Sequence, residues 1–255
     1  MRSSCVTPAI VLRSWPFGES DKIVSFLTEG HGKVTGIAKG AARSRKRFVN
    51  TLEPFSLVSL RFQDRPHNSL AFVQACDPIR LFKDLITSLE KISYASYLVE
   101  ITDGLAGERE ENRRIFDHLK EGLIFVEENG PSLSFLTFFE LRLLKLSGYQ
   151  PVLEHCRRCG KHFHDGPQIS WRFSPRDGGV LCGPCSTLRR EAVPLSVGAL
   201  DALSELQKAS SILPRHLSLA PAVLKESRPA ILRFIQFQIN KELKSAPFLD
   251  AFASD

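Results

Sequence analysis

With 255 residues, 43% of them hydrophobic, the chain has enough apolar material for two modest domains, or for one domain carrying a small module, and too much for a disordered polymer. No apolar run reaches the roughly 18 residues of a membrane span, and no small-residue cleavage signal follows the short apolar patch at residues 9–12, so a cytoplasmic protein is expected. The net charge of +6 is carried by residues 1–80, where 12 Lys or Arg face 6 Asp or Glu; the rest of the chain balances at 22 against 22. A basic excess confined to the first third points to a polyanion-binding N-terminal domain, with a solvated basic face as the plain alternative.

Residues 1–80 read as short strands and turns. Apolar runs at Ala9 to Leu12, Ile23 to Leu27, Val34 to Ala38, Phe55 to Phe62 and Leu70 to Cys76 are separated by Gly30-His31-Gly32 and by Arg65-Pro66-His67-Asn68-Ser69, the latter with the composition of a hairpin turn. About five strands in about 80 residues fit a small barrel of the OB type, which binds single strands on one exposed face, and an SH3-like barrel fits the periodicity nearly as well. After Pro78 the period changes. Leu85, Leu89, Ile92, Tyr97 and Ile101 predict a helix between Lys83 and Asp103, a second helix is expected from about Glu110 to Glu128, and a third from Leu133 to Leu146, opened by Gly130-Pro131-Ser132 and closed by Gly148. The third is apolar on nearly every side, the mark of a buried helix. Residues 156–190 break the pattern and read as an inserted module. Helical spacing returns at Val197 to Leu206 and from Pro229, a good first helical residue, to Leu243. The expected fold class is α+β, with an OB-type domain at 1–80, helical segments at 81–155 and 191–255, and the inserted module between them.

Of six cysteines, four form two C-x-x-C pairs, Cys156/Cys159 and Cys182/Cys185, with 22 residues between the pairs, slightly more than the usual ribbon spacing of about 15 to 20. Four thiolates fill the tetrahedral shell of zinc, so a closed structural Zn2+ site is expected, with Arg157, Arg158 and Lys161 offsetting its negative charge. Because Cys182-Gly183-Pro184-Cys185 also has the letters of a thioredoxin-type motif, a thiol-redox or zinc enzyme remains a rival reading. His155, His162 and His164 are read as solvated loop residues. Cys5 and Cys76 are read as small buried apolar residues.

The segment from Lys39 to Arg47 carries five positive charges in nine residues, namely Lys39, Arg43, Arg45, Lys46 and Arg47, and suits contact with nucleic-acid phosphates. Phe48, Phe55, Phe62 and Phe72 are candidate stacking partners for bases, with the barrel core as their alternative place. No phosphate-cradling glycine loop, nucleophile elbow or H-E-x-x-H run occurs, and no catalytic residue is assigned.

Glu19, Asp21, Thr28-Glu29, Gly32-Lys33, Ala38-Lys39-Gly40-Ala41, Arg43, Leu52 and Pro54-Phe55 resemble the N-terminal part of the bacterial RecO family. Tyr97 and Glu100, Leu141-Arg142-Leu143-Leu144, Gly148-Tyr149, Pro151, Leu153 and Cys156 resemble its middle part, so the likeness spans nearly the whole chain. The resemblance implies an N-terminal OB-fold followed by a helical domain carrying a zinc-finger module. It further implies a non-enzymatic recombination mediator of the RecF pathway that binds single- and double-stranded DNA and the acidic C-terminal tail of single-stranded-DNA-binding protein. Such a mediator acts with RecR to load RecA, anneals complementary strands, and works in the cytoplasm at the nucleoid during repair. By the same resemblance, DNA contact falls on Lys39 and Arg43, extended by Arg45, Lys46 and Arg47. An RNA-binding OB protein is the other rival reading.

Overall fold

The structure, a computed structural model, describes residues 4–44, 46–64, 70–165, 170–209 and 218–250. The stretch 65–69, read above as a hairpin turn, lies outside them. Two compact units emerge, residues 1–130 with 245–255 and residues 131–244, so compactness divides the chain later than the strand-to-helix change near residue 80.

The first unit is built on a closed barrel of β1 (Ser4–Phe17), β2 (Asp21–Thr28), β3 (Gly32–Ala38), β4 (Leu57–Gln63) and β5 (Ala71–Arg80), in the order β1-β2-β3-β5-β4. This is the five-stranded OB topology rather than the SH3-like alternative. The long β1 makes closure possible, since its first half pairs with β4 and its second half with β2, with a bulge between Val11 and Arg13. The parallel contact of β3 with β5 completes the ring at Gly36 opposite Ala71. A Cβ on Gly36 would lie 2.7 Å from Val73 Cγ2, so only glycine permits that approach. Inward residues, among them Val11, Val24, Phe26, Val34, Leu60 and Val73, form the core, which Phe48 and Leu52 complete from the β3–β4 connection. Cys76 belongs to this core, and burial, helped by the charge of Asp77, pushes its thiol up to about 12.

Beside the barrel lie α1 (Leu89–Leu105) and α2 (Arg113–Asn129), capped by the side chains of Ser88 and Asn112, which accept from the N–H groups of Lys91 and Ile115. The single helix predicted from Lys83 is split. Lys83–Thr87 form a 3-10 turn, and Ser88 is extended because it serves as the cap, so α1 starts one residue later. The last described segment, α7 (Ala246–Asp250), returns to α1, where Glu100 accepts from both N–H and Oγ of Ser245.

In the second unit, α3 (Leu133–Leu146) has the predicted bounds and packs against α5 (Val197–Lys208) and α6 (Pro221–Ile239). Its fully buried Glu140 pairs with Arg228 of α6. The prediction that a helix begins at Pro229 is corrected: Pro221 occupies the first turn and Pro229 lies inside α6. The buried face runs from Ser227 through Ile235, so packing on both sides of Pro229 carries the helix through it. The predicted end at Leu243 is also too late, since the left-handed Asn240 ends the helix after Ile239. The cysteine-rich stretch holds β6 (Trp171–Ser174), β7 (Gly179–Cys182) and the single turn α4 (Gly183–Ser186). With β8 (Val193–Leu195) the strands form a three-stranded sheet in the order β7-β6-β8.

Candidate nucleic-acid interface and metal centre

The basic segment leaves β3 at Lys39 and is pinned to the β1–β2 turn. The Gly40 N–H donates to Asp21 Oδ1 at 2.8 Å, and the Ala42 N–H donates to the Ser20 carbonyl at 2.9 Å. Further on, the Arg47 guanidinium donates to the Lys39 carbonyl at 3.0 Å and lies 5.0 Å from the centre of the Phe48 ring, while Phe48 itself is sunk in the barrel core. The described residues of the segment thus present exposed side chains of Lys39, Arg43, Lys46 and Arg47. Arg45 lies outside the described residues.

Elsewhere in the barrel most of the described cations are neutralised. Arg13 meets Asp103 at 2.7 Å, Lys22 meets Glu53 at 2.9 Å, Lys33 meets Asp103 at 3.5 Å, and Arg80 meets Glu127 at 2.6 Å. Among the described residues, no carboxylate forms an ion pair with Lys39, Arg43, Lys46 or Arg47. Apart from Arg61, which is exposed on β4 and belongs to none of these pairs, the uncompensated charge of the described barrel residues is therefore concentrated in one segment at one end of the barrel, where it can attract a polyanion.

Of the four candidate stacking residues, Phe48, Phe55 and Phe62 are buried, at 5%, 9% and 1% exposure, and serve the fold. Phe72 alternates with the core residues Ala71 and Val73 and is only partly buried. Sequence reasoning passed over Trp15 and Phe17, which are 40% and 50% exposed at the end of β1. Two aromatics flanking a proline just before a Gly-Glu-Ser turn were the available signal.

The structure brings Cys156, Cys159, Cys182 and Cys185 together, with all four sulfurs within 4.8 Å of one another. Cys159 Sγ and Cys182 Sγ are 3.6 Å apart, and sulfurs placed about 2.3 Å from a tetrahedral zinc ion would be separated by about 3.8 Å. The first pair sits on a tight turn in which the Gly160 N–H donates to the Cys156 carbonyl, and Gly160 takes the left-handed φ of 74° that this turn needs. The second pair spans the junction of β7 with α4, where the Cys182 N–H points at Cys156 Sγ from 3.5 Å. Burial would raise the Cys156 thiol, but backbone N–H groups of Cys159, Cys182 and Arg158 outweigh it and hold the pKa down at about 6. Cys185 is pushed up to about 12, chiefly by sharing a proton with Cys182, and burial raises Cys182 as well. Thiols crowded in this way resist joint ionisation, and a bound divalent cation would reverse that. The donor set fits a closed tetrahedral metal site.

Of the cations expected to offset the thiolates, Arg158 also has a carboxylate partner. Arg158 turns to Asp177 at 3.3 Å, and Asp177 also accepts from Arg189 at 2.5 Å and Ser174 at 2.7 Å. His162 and His164 stack on one another, and His164 Nε2 lies 3.0 Å from Asp201, so neither histidine joins the sulfur cluster. Among the described residues, no helix is long and apolar enough to cross a membrane.

Comparison with known proteins covers both units. The family profile described as "Recombination protein O N terminal" matches residues 1–82, and "Recombination protein O C terminal" matches residues 86–247. A DNA repair protein RecO of Syntrophus aciditrophicus (strain SB) is 36% identical over 251 residues, covering 98% of this chain and 96% of the relative. A second, from Anaeromyxobacter dehalogenans (strain 2CP-C), is 34% identical over 241 residues, covering 94% of each chain. With both profiles matched in order and full-length relatives at this identity, the chain belongs to the RecO family of DNA repair proteins.

Proposed function

We propose that this chain is a recombination mediator that grips DNA with the basic segment of its barrel and has no catalytic step of its own. The observation that carries the reading is the concentration of unpaired positive charge at Lys39, Arg43, Lys46 and Arg47, on a barrel whose other described cations, Arg61 apart, face carboxylates. Arg45 falls within the same run and is assigned the same role. Neutralising phosphates releases counterions, so binding should be sequence-independent and steeply salt-dependent.

In this proposal residues 1–80 are the DNA-binding domain. The helical segments 81–155 and 191–255 receive the acidic C-terminal tail of single-stranded-DNA-binding protein. Two weak grips on one coated strand then act as a strong one through effective concentration. Partnership with RecR, loading of RecA, annealing of complementary strands, and action in the cytoplasm at the nucleoid complete the proposal. The cation held by Cys156, Cys159, Cys182 and Cys185 is Zn2+, and its role is structural, fastening residues 156–190. A thiol-redox reading of Cys182/Cys185 fits less well, because a reactive C-x-x-C depends on a depressed first thiol, whereas Cys182 is raised and has sulfurs of the other pair beside it.

Fluorescence-anisotropy titration of labelled single- and double-stranded DNA at two salt concentrations, repeated with the acidic tail peptide, tests the reading. Salt-sensitive binding of both DNAs together with peptide binding is expected. Clear preference for RNA of equal length, or no nucleic-acid binding, would contradict it.

A further inference from the structure

Residues directly opposite one another in a sheet share a face, and successive residues alternate between faces. In β2 and β3 the core takes Val24, Phe26, Val34 and Ala38. Ile23 and Ile37, one step out of phase, therefore face away from the core. The register extends that outward row across four strands, with Trp15 opposite Ile23, Ile23 opposite Ile37, and Ile37 opposite Phe72. Phe17 lies two residues beyond Trp15 in β1 and so shares its face.

Part of this outer face is already covered, and Ile23 and Ile37 are themselves buried, at 9% and 8% exposure. Arg13 and Lys33 are tied to Asp103 of α1, and α2 packs on β1 and β2. The end carrying Trp15 and Phe17 remains open, and the basic segment begins there. Asp21, opposite Phe17, holds the Gly40 N–H, and Ser20 holds that of Ala42. Exposed aromatic rings and unpaired cations therefore meet at one end of one barrel. A chain of phosphates bearing accessible flat bases satisfies both features, whereas a duplex offers phosphates but keeps its base faces stacked.

We infer that Trp15 and Phe17 are a stacking platform for the unpaired bases of single-stranded DNA whose phosphates lie along Lys39, Arg43 and Lys46. The inference rests on the proposed DNA-binding role and adds what charge alone lacks, a preference for single strands. Phe72 marks the far end of the same row.

The test uses the full-length protein and its Trp15→Ala, Phe17→Ala and Trp15→Phe variants, titrated with oligo-dT and with a duplex of equal length at two salt concentrations. Removing one platform ring should weaken oligo-dT binding on the order of tenfold. It should leave duplex affinity and the salt slope unchanged, because no charge is removed. Trp15→Phe should retain most of the affinity. Of the two tryptophans, Trp171 is 3% exposed, so oligo-dT should quench chiefly the emission of Trp15 and leave that of Trp15→Ala nearly unaltered. Equal losses on both DNAs, or no loss in a protein whose binding still depends on Lys39 and Arg43, would remove the platform and keep the basic site. A wild-type protein that binds neither DNA would remove both.

Discussion

Asp177 shows how much one side chain can organise in a module with little core. It sits in the turn between β6 and β7, accepts from Arg189 and Ser174, and draws in Arg158 from the first cysteine pair. The hydrogen bond from Arg189, and after it those from Ser174 and the charge of Arg158, prevail over burial and hold its carboxyl down at about 2. A carboxylate with a depressed folded pKa stabilises the fold fully above its unfolded value near 4, and that contribution disappears as the pH falls toward 2. Asp177→Asn should therefore cost on the order of 2 kcal/mol at pH 7, and the gap between mutant and wild type should narrow below about pH 4. Paired thermal melts at pH 7 and pH 3 check this, and a gap independent of pH would contradict it. The sequence could show that Arg158 neighbours two thiolates. It could not show that an aspartate 19 residues away would claim the guanidinium. Phe62 carries the same lesson, because an aromatic in a strand is legible from sequence while its face depends on register, and Phe48 and Phe55 are buried from outside the strands.

Among elements, the strands and α3 were legible because their signals are local. Short apolar runs between turn residues mark β2, β3 and β4, and Ser132 with Gly148 brackets α3. What escaped were the four-residue strands β6 and β7, too short to carry a periodic signal, and the course of α6 through Pro229, set by packing remote in sequence. That proline withholds an N–H from the carbonyl of Lys225 and disfavours a regular helix by about 3 kcal/mol against alanine. Pro229→Ala should raise stability by roughly 1 to 3 kcal/mol, seen as a higher melting temperature. A lower melting temperature would mean that packing on α3 needs the proline's bend. The metal module makes a separate prediction. Chelation should expose the four clustered thiols to alkylation and lower thermal stability, with the core residue Cys76 still protected. Thiol titration with and without chelator checks this, and equal reactivity in both would contradict a metal-closed site.

At the scale of the whole molecule, charge is the property that composition reported most faithfully and located least well. The N-terminal third holds the entire net charge of +6, but several of its cations are consumed by ion pairs, some reaching α1 and α2. What remains for a partner, besides Arg61 on β4, is chiefly the stretch between β3 and β4, and the fold uses it twice, since Phe48 and Leu52 complete the core while Lys39, Arg43, Lys46 and Arg47 stay exposed. The most direct measurement is the salt dependence of single-stranded DNA affinity for the wild type and for Lys39→Ala combined with Arg43→Ala. Loss of two phosphate contacts should weaken binding and lower the slope of log affinity against log salt by about 1.4, at roughly 0.7 per contact on a single strand. An unchanged affinity and slope in a folded double variant would place the DNA elsewhere on the molecule.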